Sequence, residues 1–266
     1  MQSTMAGRPP LVHTVRSEWT KIRTLRSTRY LLVAVVVVAL GLDLWLAWAE
    51  RGQSEQPGGF DIAAYCLSGL PFGQLVAGIF GAHTLSSEYS SGSIRSSLSV
   101  QPARGRLFAA KLAADAAILV GCTLMIVAVS YLAGEHDLAG RGLRTGLDAT
   151  ALRQLAAGTV TMAGWGLIGF GLAALLRTPA RAVTGVFALY LVIPVIMAIA
   201  DADVSEYSPT ALGDSLWQQV APGQAPSLPV AAAGFLAYVV AVVGLGAARF
   251  VAGDVGTGST ETDLSV

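Results

Sequence analysis

Four stretches of this chain, Ala116–Ala133, Leu155–Leu176, Ala182–Ala200 and Val230–Ala248, contain no Asp, Glu, Lys or Arg. A helix needs about 20 apolar residues to cross the hydrocarbon core of a bilayer, so runs of this length are read as transmembrane helices. Charged residues make up 13% of the chain, where a soluble domain carries about 25%. Tyr30–Ala49 is a fifth candidate, interrupted at Asp43. Ile62–Leu85 is ambiguous, because it holds Gly69, Pro71, Gly73, Gln74, Gly78, Gly81 and His83. Hydropathy alone leaves the choice between five spans and six.

The distribution of basic residues decides it. Arg8, Arg16, Lys21, Arg23, Arg26 and Arg29 precede the first run, which puts the N-terminus in the cytoplasm. The next basic cluster, Arg95, Arg104, Arg106 and Lys111, follows the ambiguous segment. Both clusters face the cytoplasm only if Ile62–Leu85 also crosses. Arg177, Arg181 and Arg249 then fall inside, whereas Arg51, Arg141, Arg144 and Arg153 fall outside. The expected fold is an all-α polytopic membrane protein of six transmembrane helices, with both termini cytoplasmic. Its spans are placed at 30–49, 62–85, 109–133, 155–176, 182–200 and 230–248. An arm over 1–29 and a disordered tail over 249–266 complete it, in a multi-pass protein of the cell membrane. Ala47-Trp48-Ala49 imitates a signal-peptide cleavage site, but the long segment ahead of the run and the run's own length argue against cleavage. Cys66 and Cys122 lie in apolar runs without metal-ligand spacing and are read as packing residues.

Two flanking segments carry more pattern. In Leu11–Ser27, Val12, Val15, Trp19 and Ile22 recur at spacings of three and four, which describes an amphipathic helix. Trp19 would sit at headgroup depth while Lys21, Arg23 and Arg26 reach lipid phosphates; the plainer alternative is a basic topogenic arm. Between the second and third runs lies "EYSSGSIRSSLSVQPARG", Glu88–Gly105. Ser93 is placed as a helix cap, Ile94 and Leu98 share a face four residues apart, and Pro102 limits the helix. About two turns of helix are too short to persist alone. This one docks on its own spans or on a partner, unless the segment is a bare polar connector.

"SEYSSGSIRSSLSVQPARGRLFAAK" resembles the loop after the second span in permeases of type-2 ABC transporters, particularly actinobacterial ones. The matching positions are Glu88, Tyr89, Gly92, Ser93, Ile94, Pro102, Arg104 and Lys111. "SEWTKIRTLRSTRY" resembles the N-terminal interfacial helix of the same permeases, and "LAALLRTPARAV" their turn between spans four and five. The resemblance implies a coupling helix between spans two and three that contacts a separate ATPase subunit. Glu88 would anchor the loop and Gly92 would allow the sharp turn. Ile94 and Leu98 would supply apolar contact, while Arg95, Arg104 and Arg106 would meet carboxylates or lipid phosphates.

Nucleotide hydrolysis within this chain is not expected. Its two lysines, Lys21 and Lys111, lie outside any G-x-x-x-x-G-K-[ST] loop, so ATP and Mg would be bound by the partner ATPase and no cofactor by this chain. The scattered histidines His13, His83 and His136 and the absence of a G-x-S-x-G elbow argue against hydrolase chemistry. The expected function is the permease subunit of an ATP-driven exporter; the alternative is a non-transporting membrane protein that recruits or senses a cytoplasmic partner. Expected partners are the ATPase, a second copy or similar permease, and the bilayer, not nucleic acid. Asp43 lies roughly 20 Å along its helix from Tyr30. It is read either as part of a substrate pathway or as reaching the interface beside Trp45 and Trp48. Gly164, Gly166, Gly169 and Gly171 are read as close-packing positions that do not share one clean face. Leu212, Leu216 and Val220 fit one face of a re-entrant or interfacial helix and equally a surface loop.

Overall fold

A computed structural model of the protein describes residues 26–49, 62–100, 103–140, 146–218 and 226–252, and every regular element among them is helical. In chain order the helices are α1 (Arg26–Ala49), α2 (Ile62–Cys66), α3 (Leu70–Ser90), α4 (Ser93–Val100), α5 (Arg104–Gly140) and α6 (Ala149–Leu176). After them come α7 (Pro179–Phe187), a π-helical segment (Ala188–Val192), α8 (Ile193–Ala200), α9 (Ala202–Ser205), α10 (Pro209–Trp217) and α11 (Leu228–Ala252). Four described helices are long and apolar enough to cross a membrane: Arg104–Gly140, Ala149–Leu176, Pro179–Ala200 and Leu228–Ala252.

Several boundaries differ from the expected spans, each for a local reason. The ambiguous 62–85 segment is not one continuous helix: it breaks at Leu67–Gly69, and α3 restarts with Pro71 in its first turn. Proline is tolerated there because the N–H it lacks would have no intrahelical partner anyway. Arg26 and Ser27 lie within α1, the first described helix. Trp19, Lys21 and Arg23 lie outside the described residues, as does the tail from 253. Helix α5 has 37 residues, roughly 55 Å at about 1.5 Å each. That exceeds a hydrocarbon core of about 30 Å, and α5 takes in the first residues of the connection expected after 133. Helix α11 runs past 248 to Ala252, which puts Arg249 in its last turn, where a cation favours the helix dipole.

Helix α6 is the centre of the bundle, and its glycines make that position possible. A Cβ on Gly81 of α3 would overlap the carbonyl oxygen of Gly166, and one on Gly169 would overlap the carbonyl oxygen of Gly78. The two backbones therefore touch directly across this reciprocal crossing. Gly164 and Gly171 point elsewhere, to the Phe235 ring and the Val242 backbone of α11. Gly166 itself faces the Leu119 side chain of α5, so the four glycines fit no single face because they serve three neighbours. The π-helical segment lies immediately before Pro194. Proline removes one backbone donor and crowds the carbonyl four residues earlier, here that of Tyr190, and a wider turn relieves that crowding.

Candidate functional site: a docked loop helix and two buried polar clusters

At one end of the bundle, the chain turns out of α3 through Ser91 and Gly92. Gly92 adopts φ +70°, a left-handed conformation that favours glycine. Its carbonyl accepts the Arg95 N–H at 3.1 Å, so Gly92 occupies the cap position expected for Ser93. Ser93 is instead the first helical residue, and its hydroxyl accepts a hydrogen bond from the Ser91 hydroxyl at 3.1 Å. The eight residues of α4 are held by their apolar side. Ile94 is 3% exposed, in a cluster with Leu85, Leu107, Phe108 and Phe170, and Leu98 packs against the same cluster. Burial of a side chain such as Ile94 contributes about 1.5–3 kcal/mol, support that a helix this short needs. Ile94 is thus not available as a contact for a partner: it docks α4 on its own bundle. Arg95, Ser96 and Ser99 form the exposed side. Pro102 lies outside the described residues, and Arg104 opens α5, half-buried.

Beneath α4 lies buried charge. Lys111 Nζ of α5 donates to Glu88 Oε1 of α3 at 2.7 Å, with the side chains only 4% and 14% exposed. Asp115, one turn further along α5, is 1% exposed, and neither of its carboxylate oxygens has a hydrogen-bond partner among the described residues. Half-buried Tyr89 lies beside Arg177, which ends α6 in the left-handed region at φ 60°. The Arg177 Nη2 donates to the Arg249 carbonyl at 2.8 Å, near the end of α11. Glu88, Tyr89 and the turn after α6, separate motifs in the sequence, are therefore neighbours in space. The sequence reading missed Asp115 because the charge-free run was counted from Ala116. The four-residue spacing from Lys111 was the available signal.

A second polar cluster sits at the far end of α3, roughly 20 Å from Glu88. Gln74 is fully buried; its Nε2 donates to Thr161 Oγ1 and Asp214 Oδ1, each at 3.4 Å. Tyr190, in the π-helical segment, has its hydroxyl 2.6 Å from the Pro71 carbonyl and 3.1 Å from Gln74 Oε1. Trp217 Nε1 donates to Asp214 Oδ1 at 3.1 Å. Burial pushes the Asp214 carboxyl up to about 6, while the hydrogen bonds from Trp217 and Gln74 act in the opposite direction. Asp214 and Trp217 belong to α10, capped by Ser208, whose Oγ accepts the Ala211 N–H at 3.3 Å. Leu212 and Leu216 are buried, which settles their segment as a helix packed on α6 and α11. Val220 lies outside the described residues, and the side chain of Asp43 on α1 is not described. The sequence showed Gln74 only as a flaw in an apolar run and Asp214 only as one acid of a loop.

The family model described as ABC-2 family transporter protein matches residues 15–255. No curated protein matches the chain.

Proposed function

The chain belongs to the ABC-2 transporter family and is a multi-pass cell-membrane protein with a permease role; on that premise we propose that it is the membrane subunit of an ATP-driven exporter. In this reading α1, α3, α5, α6, the α7–α8 pair and α11 are six crossings, with both termini in the cytoplasm. A separate ABC ATPase binds ATP and Mg and grips the α3–α4 corner. Two such permeases pair, each with one ATPase.

The observation that carries this reading is the division of α4 into two sides. Ile94 and Leu98 fix the helix to the bundle, while Arg95, Ser96 and Ser99 are left facing outward. A helix held in this way transmits a push. Force on its polar side passes through Ile94 into the cluster shared by α3, α5, α6 and α7. Arg95 is the cationic contact for a partner carboxylate, at a rim where charge sets specificity and on-rate. Glu88 anchors the corner through Lys111, and the Arg177 turn extends the same unit to α11.

Arg95→Glu combined with Ser96→Glu tests the assignment, because both side chains are exposed and the change should leave folding intact. Co-purification with the cognate ATPase is expected to be lost while membrane insertion and thermal stability are kept. Undiminished co-purification would remove α4 as the docking surface. Ile94→Asp is not an equivalent test, since it places a charge in the packed core.

A further inference from the structure

Cations are left in excess at the loop end of the bundle. The start of α5 (residues 103–107), the turn from α6 into α7 (174–184) and the end of α11 (246–252) carry Arg104, Arg106, Arg177, Arg181 and Arg249 and no Asp or Glu. The fold draws three of these arginines to one place. Arg177 Nη2 donates to the Arg249 carbonyl at 2.8 Å, which lays its guanidinium against the last turn of α11. A Cβ on Gly105 would lie 4.0 Å from Val251 Cγ2, so the start of α5, with Arg104, packs on the same turn. Tyr89 of α3 feels the charge of both Arg177 and Arg104. Among the described residues, no acid pairs with Arg177 or Arg249, and Glu88 faces Lys111. One arginine would suit the dipole at the end of α11. Neighbouring arginines repel one another, and a shared anion removes that cost.

Depth and surroundings indicate what that anion belongs to. Arg177 and Arg249 come directly after the charge-free runs Leu155–Leu176 and Val230–Ala248, where an apolar span gives way to headgroups. On α11, Ala241, Leu245 and Arg249 follow at four-residue intervals and all are exposed, so they form one ridge. A cationic head therefore ends an apolar strip. Arginine grips a phosphate through its planar fork. A zwitterionic lipid would also bring an ammonium, for which these three segments offer no carboxylate. We propose that the ends of α6 and α11, with the start of α5, hold the headgroup of one anionic phospholipid. Its phosphate lies on Arg177 and Arg249, and an acyl chain runs along Leu245 and Ala241. The lipid occupies the leaflet on the loop side and borders Tyr89, at the end of α3 from which α4 departs. The site needs only this chain and the bilayer, whether or not α4 docks an ATPase.

The experiment uses the purified full-length protein, without any ATPase, in nanodiscs of three kinds. These are phosphatidylcholine alone, phosphatidylcholine mixed with phosphatidylglycerol, and phosphatidylcholine with free inorganic phosphate in the buffer. Native mass spectrometry counts the lipid retained, and thermal unfolding midpoints report stabilisation. The site predicts one phosphatidylglycerol per chain retained in preference to phosphatidylcholine, with a raised midpoint. Arg249→Glu should reduce that retention several-fold and abolish the rise, whereas Arg249→Lys, which keeps the charge, should lose less. Position 249 is exposed, so folding is preserved; should Arg249→Glu nonetheless fail to fold, Arg249→Gln is read in its place. Arg144→Glu makes the same charge change in the connection between α5 and α6 and should alter neither readout. Equal retention of the two lipids, retention unchanged by Arg249→Glu, or an equal loss in Arg144→Glu overturns the inference. So does a midpoint raised as far by free phosphate as by phosphatidylglycerol.

Discussion

The two ends of α3 bury polar groups by different chemistry. Near its end, Glu88 meets Lys111 as an ion pair, with Asp115 beside it unmatched. Near its start, Gln74 joins Thr161, Asp214 and Tyr190, four residues from four elements, with Trp217 completing the acid's bonds. A polar network in which each member has partners from several elements specifies one arrangement. The far end is held by hydrogen bonds among several elements, and the loop end by a charged pair between two helices.

That contrast can be broken first at the charged end. Lys111→Met removes the cation that faces Glu88, and loss of one partner of a buried pair costs about 3–5 kcal/mol. Chemical or thermal unfolding of the detergent-purified protein would measure it. The pH dependence of the far end comes next. Asp214 holds its proton up to about 6, against an ordinary value of 3.8. The native state thus binds that proton more tightly than the unfolded chain does, so stability falls as pH rises between those values and is level above them. At most this amounts to about 3 kcal/mol, and Asp214→Asn should flatten the profile across that window. The smallest effect belongs to Tyr190→Phe, which removes one hydroxyl from a network whose other members keep partners, at about 1–2 kcal/mol. If Lys111→Met proved no worse than Tyr190→Phe, the distinction between a charged and a neutral end would be gone.

Much of the architecture was readable before any coordinates, because a bilayer imposes one-dimensional rules. Charge-free runs mark four of the long helices through their length alone, and Gly92 and Ser93 mark the start of α4 to within one residue. Readings that depended on a partner across space did less well. Ile94 and Leu98 were correctly placed on one face, but nothing local distinguishes a face turned to the bundle from one turned to another protein. Pro71 and Gly69 looked like flaws in a span because the chain shows their breaking effect and not the short α2 turn they separate from α3.

By itself, then, the sequence determined an all-helical membrane chain, its family and the position of its loop helix, since these follow from residue type and spacing along one chain. Only the tertiary structure decided that Ile94 is buried, that α6 turns its glycines to three neighbours, and that Asp115 and Asp214 are buried acids. Each of those depends on which helix lies opposite. Burial and hydrogen bonding are properties of neighbours as far as 140 positions away, as Gln74 and Asp214 are, and no local pattern encodes them.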